Sequence, residues 1–312
     1  MEINKHIGEG FGKGELYDVL VQLQNLVGIL PIGGETFYVS QYGNNTTGLS
    51  WANAFTTIAA AITAAVAENT ARPYTRNRIY IEGGANYAET LVAFPANCDL
   101  VGVGTVSQGQ VMVYGTTNIA TAVKNCHVYN LRFSNQTASV PVVTICDSCH
   151  GIEFHNCVFV NGDGNNSTIG LKMGSCRRFK VISCRFAGNP PSVIGINVDG
   201  IYALDSEIKD CVISATTTGI SVADGTSADY GFLIKGNTIA RLDPNSVAQM
   251  TTGIAYLDTN SRIHCFICDN YISAVTYISH AGVASATALA NACIGNRYVA
   301  AGDAYIDGHA IS

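Results

Sequence analysis

Three aspartates recur at one place in a repeating phrase, and carboxyls in register are the first candidates for chemistry in this chain. Asp199, Asp224 and Asp258 follow the glycines of Gly195-Ile196, Gly219-Ile220 and Gly253-Ile254 by four, five and five residues. Stacked carboxyls can divide acid and base duties, one donating a proton while another removes one or attacks. They can also gather Ca²⁺ beside a basic residue. Local chemistry argues the other way, because Asp199-Gly200 and Asp224-Gly225 are ordinary turn dipeptides whose aspartate bonds to its own backbone. A second column, Glu153, Lys180 and Glu207, recurs at two equal intervals of sequence. Its alternating sign fits an exposed salt-bridge ladder, each pair contributing about 0–1 kcal/mol. A lysine between two acids would neutralise both, which weakens them as a catalytic set.

The remaining reactive residue types are less suggestive. Cys146 and Cys149 form one CxxC pair, and Cys265 and Cys268 form another much further along the chain. Residues three apart on a strand face opposite ways, so neither pair clamps a metal easily, and the cysteines read as small apolar core residues. His127, His150, His155 and His264 lack metal-ligand spacing, and no GxSxG, Walker A or HExxH motif is present. No metal and no cofactor is therefore expected. Of 15 tyrosines, Tyr129, Tyr230 and Tyr256 are candidates for exposed platforms on which sugars stack, although strand aromatics more often pack the sheet.

Bulk composition narrows the classes. Only 13% of the 312 residues are charged and 47% are hydrophobic, with 32 glycines and 7 prolines. That mixture opposes disorder and suits short strands joined by tight turns. The net charge is −6 with no long basic run, which gives a nucleic-acid groove little electrostatic support. No run of about 18 apolar residues is present to span a membrane, and residues 1–14 show no basic segment leading into an apolar one.

The elements that must position these side chains emerge from an internal repeat. A turn residue, then Cys or Asn, then an apolar strand recurs as Asn156-Cys157-Val158-Phe159, Ser183-Cys184-Arg185-Phe186, Asp210-Cys211-Val212-Ile213, Gly236-Asn237-Thr238-Ile239, Asp269-Asn270-Tyr271-Ile272 and Gly295-Asn296-Arg297-Tyr298. From Phe133 through Phe159, Phe186, Ile213, Ile239 and Ile272 to Tyr298 the interval is nearly constant, with one longer step between Ile239 and Ile272. Five residues earlier in each coil stands another apolar residue, from Val128 and Phe154 to Ile267 and Cys293. The Gly-Ile phrase interleaves with both. Segments this short and this rich in β-branched residues oppose a helical repeat. The spacing predicts an all-β, right-handed parallel β-helix of roughly 26-residue coils. Cys157, Cys184 and Cys211 would form one inward column, continued by Asn237, Asn270 and Asn296, whose amides can satisfy neighbouring backbone. An Ala-rich amphipathic helix near residues 51–67, with Phe55, Ile58, Ile62 and Val66 on one face, would cover the N-terminal coil.

The stretches Phe37-Tyr38-Val39, Gly43-Asn44-Asn45, Gly48-Leu49-Ser50-Trp51 and Ala54-Phe55-Thr56-Thr57-Ile58 resemble the opening segment of pectin-lyase-like parallel β-helix proteins. So do Ile79-Tyr80-Ile81-Glu82-Gly83, Asn86-Tyr87-Ala88-Glu89-Thr90-Leu91 and Leu100-Val101-Gly102-Val103-Gly104. The resemblance spans about residues 35–300. Chains similar to this are frequent in bacteriophage genomes, and the superfamily holds lyases, hydrolases, esterases and non-enzymatic virion proteins.

Residues 1–34 form a separate N-terminal segment ahead of a β-helix domain at 35–312. In it Leu16, Leu20, Leu23, Val27 and Leu30 fall at helical spacing before Pro31 and Gly33-Gly34. They read as a short anchoring or oligomerising helix. With no convincing catalytic set, the first expectation is a non-enzymatic bacteriophage protein on the virion surface, of the capsid-decoration, head-fibre or tail-spike type. It would bind other virion proteins through this segment, contact host surface polysaccharide, and by the same resemblance form a homotrimer. The alternative is a polysaccharide lyase or glycoside hydrolase using Asp199, Asp224 and Asp258.

Overall fold

The computed structural model describes residues 33–84, 86–104, 111–135, 137–162, 168–188, 191–199, 205–223, 231–242, 248–257, 265–280, 293–299 and 305–307. The helical segment expected around Leu16, Leu20, Leu23, Val27 and Leu30, together with Asp224, Asp258, Tyr230 and His264, lies outside these residues.

The chain winds into a right-handed parallel β-helix. Its first sheet has ten strands, running from Thr36–Val39 through Asn77–Glu82, Cys98–Val103, Cys126–Tyr129, Glu153–His155, Lys180–Ile182, Glu207–Lys209, Phe232–Lys235 and Cys265–Cys268 to Cys293–Ile294. A second and a third sheet complete each coil, and they join through the long strand Tyr271–His280, which pairs with both. Among the described residues every strand pairing is parallel except that of Arg297–Val299 with Tyr305–Asp307.

The apolar columns stand in register. In the second sheet Phe133 faces Phe159, Phe159 faces Phe186, and the column runs on through Ile213, Ile239 and Ile272 to Tyr298. The rings of Phe159 and Phe186 stack at 4.6 Å and 4°. The longer step from Ile239 to Ile272 leaves the pairing intact. In the third sheet Ile196, Ile220 and Ile254 stack likewise. The glycine before each of them has a packing reason: a Cβ on Gly219 would lie 2.6 Å from the Gly253 carbonyl oxygen and 2.3 Å from Ile239 Cγ2.

Each first corner turns through a residue of positive φ: Asn130, Asn156, Ser183, Asp210, Gly236, Asp269 and Gly295 lie between 52° and 69°. Asn, Asp and Gly tolerate that region best. The next residue points inward. Cys157, Cys184 and Cys211 direct Sγ to the carbonyls of Val128, Phe154 and Val181 at 3.5, 3.5 and 3.4 Å. Asn237, Asn270 and Asn296 donate Nδ2–H to the equivalent carbonyls of Ile208, Ile234 and Ile267 at 3.0, 3.0 and 2.8 Å. The asparagines add a link along the axis, because Asn270 Oδ1 also accepts from the backbone N–H and the side-chain amide of Asn237, both at 2.9 Å.

The N-terminal helix differs from its sequence boundaries. A 3₁₀ turn occupies Trp51–Asn53, and the helix α1 spans Ile58–Ala71 instead of residues 51–67. Thr57 caps it by accepting from Ala60 N–H, and Phe55 bridges to Val39 as extended chain. The carboxylate of the distant Glu89 accepts from the N–H groups of Ile58 and Ala59 at 2.8 Å, a favourable charge for a helix start. The buried stripe is Ile58, Ala61, Ile62 and Ala65, while Val66 is exposed. Together with Phe37, Val39, Ile79 and Ile81 it closes the core at the first coil.

Two substitutions test these contacts. Asn270→Ala leaves the amides of Asn237 without their acceptor in a buried column and should lower stability by about 2–4 kcal/mol. Gly219→Ala forces a methyl against backbone and should cost about 1–3 kcal/mol. Urea unfolding followed by circular dichroism measures both, and unchanged midpoints would contradict the register.

Candidate active site

On the outer face of the first sheet the alternation of the strands turns two rows of side chains outward. One row reads Arg78, Asp99, His127, Glu153, Lys180 and Glu207, then becomes apolar at Leu233 and Phe266. The row beside it reads Tyr38, Tyr80, Val101, Tyr129, His155 and Ile182. Chemistry-bearing residues thus concentrate on the coils between Arg78 and Lys180.

Asp99 is the most enclosed acid of the row, 7% exposed. Arg76 and Arg78 hold it: Arg76 Nε donates to Oδ1 at 3.0 Å, its Nη2 forms a second, shorter contact to the same oxygen, and Arg78 Nη2 approaches Oδ2 at 3.4 Å. Arg76 Nη2 also lies 2.6 Å from His127 Nδ1. A guanidinium only donates, so Nδ1 accepts, and the proton of the neutral ring sits on Nε2. Burial, reinforced by Arg76, lowers the pKa of His127 and keeps the ring uncharged. Its Nδ1 stands 3.5 Å from Asp99 Oδ1 on one side, and its Nε2 stands 3.9 Å from Glu153 Oε1 on the other.

Glu153 receives His155 Nε2 at 2.9 Å and Lys180 Nζ at 3.0 Å. These bonds, His155 first, hold its carboxyl down at about 2 against the opposing effect of burial. Lys180 is raised in turn by Glu153. Tyr129 stacks on His155 at 4.9 Å and 16°, and its hydroxyl is 3.4 Å from His127 Nδ1. The arrangement is a neutral imidazole between two carboxyl groups, Asp99 held by Arg76 and Arg78 and Glu153 by His155 and Lys180. Among the described residues no three His, Cys, Asp or Glu side chains converge as metal ligands.

The sequence-derived candidates fare differently. Asp199 is exposed and pairs with Lys172 at 3.1 Å, far from this row in the chain's winding, at the end of a third-sheet strand. Glu153 and Lys180 do pair, but Glu153 has a side chain only 15% exposed and belongs to a wider cluster instead of an open surface ladder. Tyr256, expected at the surface, is buried opposite Val222. The two CxxC pairs split between buried and half-buried positions, with none of the four in a disulfide. Asp99, Arg76 and the paired histidines escaped sequence reasoning. The available signal was the Glu153 column counted backwards, one coil to His127 and one coil more to Asp99.

Comparison with known proteins bears on the fold. No family model and no curated protein matches the chain. Among solved structures it is similar to pectin methylesterase PemA from Erwinia chrysanthemi, at 16% identity and a TM-score of 0.53, covering 79% of this chain and 80% of that one. It is also similar to the pectin methylesterase of Aspergillus niger, at 14% identity and a TM-score of 0.51 over 90% of each chain. A pectin methylesterase in complex with a hexasaccharide matches at 15% identity and a TM-score of 0.51, over 79% of this chain and 80% of that one. The fold is the pectin-lyase-like β-helix.

The ion pairs make a pH prediction. In an unfolded chain Glu153 titrates near ~4.3, and its folded value of about 2 is depressed. Its stabilising contribution is therefore complete above the unfolded value and is lost as pH falls through the folded one. Glu153→Gln should lower the thermal midpoint at pH 7, with the gap to the native protein closing between about pH 4.5 and 2. A gap independent of pH would show that Glu153 is not held ionised by His155 and Lys180.

Proposed function

We propose that this chain is a polysaccharide-processing enzyme, and more narrowly a carbohydrate esterase, working on the outer face of the first sheet. The observation that carries the proposal is the stacking of Asp99, His127 and Glu153 on consecutive coils. The ionisation states favour one reaction class. Glycoside hydrolysis by paired carboxyls needs one of them protonated to supply the leaving group, and Glu153, held near 2, has no proton to give at neutral pH. A lyase needs a base, whereas the pairing of Lys180 with Glu153 raises its pKa and keeps it protonated. Ester hydrolysis needs an ionised carboxylate to attack the acyl carbon or activate water, and donors for the oxyanion that follows. We assign the carboxylate's part to Asp99. The Nε2–H of His127, on the Glu153 side of the ring, and Lys180, bonded to Glu153, are donors further along the row. Arg76 and Arg78 orient Asp99, while Glu153 orients His155 and Lys180. The similar solved structures named as pectin methylesterases agree with an ester as the scissile group.

Attachment of such an enzyme to a bacteriophage particle through residues 1–34, in contact with other virion proteins and as a homotrimer at the virion surface, is a separate proposal. It rests on the resemblance to bacteriophage β-helix proteins together with the helical spacing of that segment, and is tested by mass spectrometry of purified particles.

Incubation with methyl-esterified and acetylated polysaccharides, bacterial surface glycans included, should release methanol or acetate without new reducing ends or unsaturated products. Asp99→Asn should reduce the rate at least ~100-fold, the order associated with losing a principal catalytic group, with little change in the circular dichroism spectrum. Release that survives Asp99→Asn would remove Asp99 from the mechanism, and unsaturated products would replace the esterase with a lyase.

A further inference from the structure

The strand that carries Asp99 has a second feature at its other end. Val103, four residues beyond Asp99, lines an open cleft of about 520 Å³ with Trp51, Glu82, Gly83, Gly84 and Gly104. The cleft is built by two coils and the 3₁₀ turn. Gly83 N–H donates to the Val103 carbonyl at 2.7 Å, tying the coils together at its base. Trp51 stands over it, 44% exposed, braced edge-to-face by Tyr38 at 4.9 Å and 61°. Tyr38 is followed by Tyr80 at 5.8 Å in the outward row that leads towards Tyr129 and the charged row. Ser40 Oγ donates to Glu82 Oε2 and so fixes the carboxylate. At Gly84, with φ of +81°, an added Cβ would meet nothing within 4 Å.

A rigid, half-exposed indole beside an open glycine floor is suited to the flat apolar face of a sugar ring, and a fixed carboxylate accepts from hydroxyls. That carboxylate also repels a uronate. The site lies about 13 Å from Asp99 along the strand, at about 3.3 Å per residue, so one sugar ring cannot occupy both. We infer that the Trp51–Glu82 cleft is a glycan subsite selective for an uncharged sugar, and that it holds the chain at a distance from the ester processed at Asp99. The inference rests on the carbohydrate reading of the charged row.

Trp51 is the chain's single tryptophan, so its fluorescence reports on this cleft alone. Titration with neutral gluco- and galacto-oligosaccharides and with oligogalacturonides, on the native protein and on Asp99→Asn, is the test. The expected result is a saturable change with a neutral series, retained in Asp99→Asn and at least ~10-fold weaker for the acidic series. Glu82→Gln should narrow that discrimination. Calorimetry on Trp51→Ala should show Kd raised about tenfold, the weight of one aromatic contact, with Trp51→Tyr restoring most of it. Ester release that depends on Asp99 while Trp51 fluorescence ignores every oligosaccharide would overturn the subsite and leave the reaction standing. Equal affinity for both series would overturn the selectivity. A fluorescence response without ester release on any substrate would keep the subsite and overturn the esterase reading.

Discussion

The architecture depends on one recurring bond at the first corner of the coils from Asn156 to Gly295. A residue with positive φ turns the chain, and the next side chain reaches inward to the carbonyl of the apolar residue one coil back. Cysteine and asparagine perform this in the same column, although one is a weak donor and the other a strong one. The shared acceptor explains why one residue type replaces the other in the sequence phrase without loss of register. Asparagine does more, since its Oδ1 also takes the N–H of the preceding coil's corner. The change from cysteine to asparagine comes at Asn237, just before the coil with the longer step to Asn270. A stronger corner there offsets the entropy of closing the longer loop.

Because every coil meets its neighbour at the same residue, outward side chains are also delivered in columns with strand spacing. That spacing, about 4.8 Å, is right for a long side chain reaching to a carboxyl group on the neighbouring coil. Arg76 to Asp99 and Lys180 to Glu153 are such pairs. His127 fills the rung between the two acids, where neutrality avoids a third charge in an already paired row. The fold therefore makes neighbours of residues a whole coil apart in sequence, and a connecting segment contributes Arg76 alone.

Much of the scaffold was legible in the sequence for the same reason. Phe133, Phe159, Phe186 and Ile213 could be aligned by counting, since a column of identical environments selects similar residues. The charged row was harder, because a functional column selects complementary residues: Asp, His, Glu and Lys share a register and no likeness. Glu153, Lys180 and Glu207 were visible as a ladder only because the coils after Glu153 keep an even step. Arg78 and Asp99 are directly paired across a shorter coil than those that follow, which hides the first rungs from any fixed period. The start of helix α1 is set by Thr57 and by the distant carboxylate of Glu89, and the second has no local signature. Asp199 shares the phrase that repeats on the other coils, but at the end of a third-sheet strand it serves the turn.

The outer face of the first sheet also changes character along the axis, and the change bears on where chemistry can occur. In the row that begins at Arg78 the rungs are polar as far as Glu207, and Leu233 and the exposed Phe266 follow, while the row beside it continues through Lys209, Lys235 and Cys268 to Ile294. A glycan lying along this face would meet the dense polar cluster at the N-terminal coils and a mixed surface beyond it. Trp51, Tyr38 and Tyr80 lie at the polar end, so aromatic stacking and charge are offered together there and are separated elsewhere. Desolvation acts in the same direction. Asp99 and His127 are enclosed by neighbours on the coils above and below, so their orientation is set by fixed groups instead of water. A carboxyl group held by two arginines and an imidazole kept neutral by burial beside Arg76 need no rearrangement before reaction, and preorganisation of that kind is what a rigid solenoid can provide.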